Sequence, residues 1–144
     1  MTHADYQVII NEPSKVVFDF LLDGLNNPKW RSAVVDISLK NGEAGSVGAE
    51  YRQSLKGPGG RKIDGDYRLV TVEPNKKLAF EVTTGPARPT GEYLLTESGG
   101  STTLSFAMDY QTKGFKKLID PMITKTMKSE VANLDVLKRV LEQS

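Results

Sequence analysis

Cysteine is missing from this sequence altogether. Its absence excludes disulfides, thiolate metal sites and cysteine nucleophiles, and it fits a reducing cytoplasm. Histidine is nearly as scarce. His3 is the only one, and it lies close to the start of the chain, where fraying is expected. His-based triads, histidine-rich metal sites and a histidine general base are therefore not expected. Neither sign of charge is in excess: 19 Lys and Arg face 18 Asp and Glu. That balance argues against the concentrated basic face of a nucleic-acid-binding protein. No run of like charges would make an interaction tail, and no apolar run is long enough to span a membrane. The first seven residues carry Asp5 and no basic-then-apolar signal pattern. The expectation is a cytoplasmic protein of one domain, large enough for a real core, with no cofactor and no metal.

The longest pattern present is helical and covers residues 115–142. Phe115, Leu118, Ile119, Met122, Ile123, Met127, Leu134, Leu137 and Leu141 recur at helical spacing. Lys117, Lys125, Lys128, Asp135, Arg139 and Glu142 occupy the other side. Such a stripe must lie against something. Pro121 interrupts it. A mid-helix proline removes a hydrogen bond and clashes with the preceding turn. Two readings stay open: a kinked helix, or a separate short turn over 115–120 followed by a main helix starting at Pro121 with Asp120 as its N-cap.

The remainder of the chain supplies strands. Tyr6, Val8 and Ile10 alternate with Gln7, Ile9 and Asn11. Pro13 suits the first turn of a short helix carrying Val16, Val17, Phe18, Leu21 and Leu22, and Asn26-Asn27-Pro28 opens a second short helical turn that includes Lys29, Trp30 and Arg31. Strands follow over 35–39, 48–55, 63–72, 78–83, 91–96 and 102–110. Asn41-Gly42, Gly57-Pro58-Gly59-Gly60, Glu73-Pro74-Asn75 and Ser98-Gly99-Gly100 mark turns between them. Gly85, Pro86 and Pro89 make the intervening stretch a bend or an edge. Turn signals at this spacing suit an antiparallel meander. On the 63–72 strand, Tyr67, Leu69 and Thr71 compete with Val70 and Val72 for the inward face.

Several of these landmarks together resemble the START-like superfamily, in particular its polyketide cyclase/dehydrase branch. They are the run from Ile10 to Phe18 into the first helix; Asp23 followed by Asn27-Pro28-Lys29-Trp30; Gly45-Ser46-Val47-Gly48; the stretch from Tyr67 to Leu78 containing Glu73-Pro74-Asn75-Lys76-Lys77-Leu78; and Leu134, Leu137-Lys138 and Leu141-Glu142 near the end. The resemblance implies an α+β helix-grip fold of the birch-pollen allergen (Bet v 1-like) type. In it a curved seven-stranded antiparallel sheet wraps a long C-terminal helix, with two short helices after the first strand. It implies a cavity between sheet and helix, and members that bind lipids, steroids, hormones, quinones or polyketides. It carries no universal catalytic motif, so fold and function are separate questions.

Placed at about 100° per residue on a continuous helix, Thr126, Glu130 and Asn133 fall inside the apolar arc. An ionisable residue there is costly unless it is paired or solvated. Glu130 and Asn133 are thus expected to anchor a ligand in a cavity, with Glu130 the one weak candidate for a general base. The alternative is that a shift in helix phase leaves Glu130 at the rim. Tyr51, Gln53, Tyr67, Tyr93, Met108 and Tyr110 share strand faces with apolar residues and are further lining candidates, beside their plain reading as core. Met108, Met122 and Met127 would make an adaptable lining, with plain core packing the stronger reading for any single one of them. Trp30 reads as an anchor for the short helices ahead of a cap on the cavity mouth. Asp64 and Asp66, two apart on a strand, read as a solvated face. Gly57 to Lys62 lacks phosphate-loop spacing and reads as a hairpin tip. Arg88 reads as a surface residue.

Three functions follow: binding of a hydrophobic or amphiphilic small molecule by a monomer or homodimer; a metal-free cyclase or dehydratase using Glu130 and a tyrosine; or an interaction domain whose cavity is incidental.

Overall fold

The computed structural model describes residues 2–85, 87–110 and 120–143. Eight strands form one antiparallel sheet: β1 (Thr2–Ile10), β2 (Val34–Asn41), β3 (Glu50–Lys56), β4 (Lys62–Asp64), β5 (Tyr67–Glu73), β6 (Lys77–Val82), β7 (Thr90–Ser98) and β8 (Ser101–Tyr110). Their order across the sheet is β1-β8-β7-β6-β5-β3-β2, with β4 paired to β3. Every connection from β5 to β8 is a hairpin, as the turn signals predict. The sequence order is broken where β1 pairs with the last strand and where β5 pairs with β3 past β4.

The sheet has one strand more than expected because the 63–72 segment is divided at Gly65-Asp66. Gly65 N–H donates to Gln53 O at 2.8 Å and Asp66 N–H to Thr84 Oγ1 at 2.9 Å. The Asp66 carboxylate accepts the Gln53 N–H at 3.0 Å and lies 3.5 Å from Lys40 Nζ. Asp66 is therefore buried while Asp64 is exposed. The expectation of a shared solvated face fails because the strand does not run through. The contest on β5 is settled too: Tyr67 and Leu69 are buried and Val70 is exposed, with a bulge before Thr71.

After β1, helix α1 (Ser14–Leu22) buries Ser14, Val17, Phe18 and Leu21, one face at three- and four-residue spacing. A 3-10 turn over Gly24–Lys29 follows, opened by Asp23, whose side chain accepts the Leu25 N–H at 3.1 Å. Trp30, 2% exposed, leaves that turn and enters the core. Its ring meets Tyr93 and Phe106 edge-on, both at 6.2 Å. The aromatic series continues through Phe80 and Tyr67 to Tyr51. Such offset and edge-on pairs add to what burial alone contributes. Trp30 is an anchor and not a lid.

Gly91 on β7 makes room for this series. A Cβ there would stand 2.2 Å from Phe80 Cζ. Gly91→Ala should cost about 1–3 kcal/mol through overpacking, read as a lower urea midpoint at unchanged slope.

The C-terminal segment is two helices, α2 (Asp120–Ala132) and α3 (Leu134–Glu142). Together they make the expected long C-terminal helix, interrupted at Asn133, whose N–H bonds the Glu130 carbonyl at 3.2 Å, a tightened three-residue closure. Ile123, Met127, Glu130, Val131, Leu134, Leu137 and Leu141 face the sheet. Where the pattern begins, over 115–119, lies outside the described residues.

Both helices pack on β1. Tyr6 Oη donates to Asp135 at 2.7 Å, and the Asn11 N–H donates to Glu142 at 2.7 Å. Lys138 Nζ reaches Ile9 O and Glu142. The Asn11 amide and then Lys138 hold the Glu142 carboxyl below its ordinary range. His3 is not frayed. It sits in β1 opposite Asp109, and its ring nitrogens lie 2.6 Å from Asp109 and 2.6 Å from Asp5. The bonds to Asp109 and then Asp5 raise its pKa.

Candidate functional site

Between the sheet and α2 lies a cavity of about 190 Å3. Its wall is largely apolar: Leu55 from β3, Ile63 from β4, Phe80 and Val82 from β6, Met108 from β8, and Ile123 and Met127 from α2. Lys56, Asp64 and Thr126 also border it, and all three are exposed, so they mark the rim. Ala87 and Pro89 complete that side, while Arg88 between them is exposed and off the wall.

The inner end is polar. Arg31 and Glu130 border the cavity at 4% and 6% exposure. Arg31 follows directly on Trp30, and the Asn27 carbonyl takes the N–H of both residues, at 3.2 and 2.9 Å. With the indole fixed in the core, the next side chain is held toward α2. Glu130 comes from the inward stripe of α2, one turn beyond Met127. Arg31 Nε and Nη2 donate to the same oxygen, Glu130 Oε2, at 2.8 and 2.5 Å. Burial alone would lower the Arg31 pKa; the adjacent Glu130 charge reverses this and holds it above its usual value. The cost of an ionisable residue on an apolar arc is met here by a partner.

Beside this pair runs a neutral network. Asn27 Nδ2 donates to Gln53 Oε1 at 3.0 Å and to Tyr67 Oη at 3.1 Å, and Gln53 Nε2 donates to Gly65 O at 3.3 Å. Gln53 therefore reaches the cavity wall with its amide already engaged. Burial drives the titration of Tyr67 and Tyr93 well above the ordinary tyrosine range, so both hydroxyls stay protonated at neutral pH. Together with Asn27 and Arg31 they border a separate space of about 10 Å3, far too small for an organic ligand. Trp30 Nε1 is buried without a hydrogen-bond partner among the described residues. Ring packing, and not a polar contact, fixes it.

Of the residues picked from sequence, Gln53, Met108, Met127 and Glu130 lie on the cavity wall and Thr126 on its rim. Tyr51, Tyr67, Tyr93 and Tyr110 are buried but off that wall. Tyr51 stacks on Tyr67 at 5.1 Å and takes the Gly45 N–H at 3.3 Å, while Tyr93 stacks on Phe106 at 4.3 Å. These rings fill the far end of the groove and close it. Asn133 sits at the break between α2 and α3, where its carbonyl accepts from Val136 and Leu137 and starts the next helix; it is not on the wall. The side chain of Met122 lies outside the described residues. Among the described residues no cluster of His, Asp and Glu suits a metal.

Sequence reasoning missed Arg31, along with Leu55, Ile63, Phe80, Val82 and Ile123 as wall residues. For Phe80 and Val82 the signal was available, since they alternate on one strand face. For Arg31 the signal was indirect: a carboxylate on an apolar arc implies a buried cation elsewhere.

A family model described as "Polyketide cyclase / dehydrase and lipid transport" matches residues 1–142. The chain is similar in structure to the ZhuI aromatase/cyclase from a Streptomyces species, with TM-score 0.81 at 16% identity, covering 98% of this chain and 93% of that one. It is also similar to a START superfamily protein from Mycobacterium smegmatis, with TM-score 0.79 at 15% identity and 99% coverage of both chains. No curated protein matches the sequence.

Proposed function

Because the chain belongs to the polyketide cyclase / dehydrase and lipid transport family, we propose that it binds a lipophilic or amphiphilic small molecule in the cavity between the sheet and α2. The observation that carries this reading is the cavity itself: about 190 Å3, apolar on most of its wall, with one charged pair at its inner end and polar residues at its rim. Apolar burial supplies affinity and the polar end sets orientation. The cyclase or dehydratase alternative is less well supported. Its candidate base, Glu130, is tied to Arg31 through Oε2, and the nearby tyrosines are donors and not bases.

Two measurements test the reading. Native mass spectrometry of protein purified from its own host should show a retained small molecule. In solution, a ligand at a hundred times its Kd should stabilise the fold by about 2.7 kcal/mol. Val82 is half-buried on the cavity wall, so Val82→Trp should fill the space and weaken binding of an uncharged naphthalene dye at least tenfold while the fold persists. If nothing copurifies, and no sterol, quinone, fatty acid or aromatic polyketide raises the melting temperature, the proposal fails.

A further inference from the structure

We infer that the cavity selects an uncharged, compact ligand of about two rings carrying a hydroxyl or comparable neutral oxygen, and discriminates against carboxylates. The inference rests on the binding function proposed above and adds the chemical class of the ligand. It follows from how the polar end is wired. Arg31 spends two donors on one oxygen of Glu130, so the pair is neutral as a unit. Arg31 Nη1 and Glu130 Oε1 make no bond among the described residues, and neither is among the sealed, unpartnered atoms. Nη1 lies on the side of the guanidinium away from the carboxylate that Nε and Nη2 engage, so the free group of the pair turned to a ligand is the charged acceptor Glu130 Oε1. The remaining polar wall residue, Gln53, has its amide engaged by Asn27 and Gly65.

A neutral hydroxyl donates to Glu130 Oε1, an acceptor that a carboxylate ligand, with no proton to give, cannot serve. Bonds to charged partners are the stronger kind. A carboxylate would pair with Arg31 only by bringing its charge beside that of Glu130, in surroundings too apolar to screen the repulsion. Size narrows the class further. At about 190 Å3 the cavity is not far above an engineered 150 Å3 site that holds one benzene ring. A long acyl chain or a steroid would protrude through the rim.

The test compares naphthalene, 2-naphthol and 2-naphthoate on the intact protein near neutral pH, by calorimetry or fluorescence. The wild type should bind 2-naphthol about tenfold or more tightly than either other probe. Glu130→Gln removes the repelling charge and leaves Arg31 unpaired, so 2-naphthoate should overtake 2-naphthol. Should that variant fail to fold, Arg31→Met/Glu130→Leu serves instead: with no charges left, 2-naphthol should lose its advantage over naphthalene. Wild type that binds 2-naphthoate as tightly as 2-naphthol overturns this inference and leaves the binding function standing. So does a ranking unchanged in whichever variant folds. Failure of all three probes to bind the wild type overturns this inference, and the binding function then stands or falls on the copurification and melting-temperature tests above.

Discussion

Arg31→Met should cost about 3–5 kcal/mol of stability, the largest loss expected from any single polar substitution in this chain. The reason lies in the surroundings of the partner left behind. Glu130 is 6% exposed on the inward stripe of α2, and its Oε2 receives both bonds from Arg31. Removing the guanidinium strands a carboxylate among Met127, Ile123 and Phe80. Glu130→Leu should be destabilising by a similar amount, since it strands the cation. The double replacement Arg31→Met/Glu130→Leu should recover most of the loss, because a buried ion pair is roughly exchangeable for apolar groups of similar volume. Urea titrations of the three variants give the coupling directly. A double variant as unstable as the sum of the single ones would refute the pair as the cause. The exposed pair between Lys15 and Asp19, 2.8 Å apart and four residues apart on α1, offers the contrast: Lys15→Ala should change stability by no more than about 0.5 kcal/mol.

Phe80→Ala should cost about 3–5 kcal/mol and at the same time enlarge the cavity. Phe80 is both wall and core. Its ring lies 5.4 Å from Tyr67, 6.1 Å from Tyr93 and 6.2 Å from Phe106, and its other side borders the cavity. Deleting it merges lost burial with a new void that the stacked neighbours cannot fill. An uncharged three-ring probe excluded by the wild type should then bind the variant. The substitution should also change the meaning of Gly91. The three atoms nearest a Cβ at that position all belong to the Phe80 ring, so Gly91→Ala should cost far less once Phe80 is Ala. A penalty that persists in the double variant would place the constraint on Gly91 somewhere other than this ring.

These expectations also show which parts of the molecule were legible from sequence. Alternation and turn residues were enough for the hairpins, because each strand from β5 onward pairs with its neighbour in the chain. The division of the 63–72 segment was not legible. Nothing local distinguishes Asp66 from Asp64; the difference is a hydrogen bond from Gln53, a residue on another strand. The inward position of Glu130 was legible from helical phase, and the phase held because the break comes only at Asn133, after Glu130. Asn133 itself was misplaced because the break falls on it, where its N–H closes on the Glu130 carbonyl, while Leu134, Leu137 and Leu141 beyond it still face inward as the count predicts. Four tyrosines were assigned to the cavity because an inward strand face was equated with a lining position. Which inward residues reach a void and which pack on one another is decided by the curvature of the whole sheet, and the aromatic series from Trp30 to Tyr51 occupies one end of the groove. Arg31 illustrates the deepest gap. A buried pair drawn from a loop and a helix has no periodicity to betray it.

The pairing of β1 with β8 has a consequence for how the chain reaches this structure. Among the described residues the first strand pairs only with β8, about a hundred positions later, and the contact between the Asn11 amide and Glu142 joins residues 131 positions apart. The remaining strands can assemble as successive hairpins, but β1 must wait, with Val8 and Ile10 unprotected, until β8 exists and α2 and α3 can dock. Closing so large a loop late makes folding slow relative to a helical protein of this size. During synthesis, the early segment is a stretch that a chaperone would need to shield until the final helix has left the ribosome.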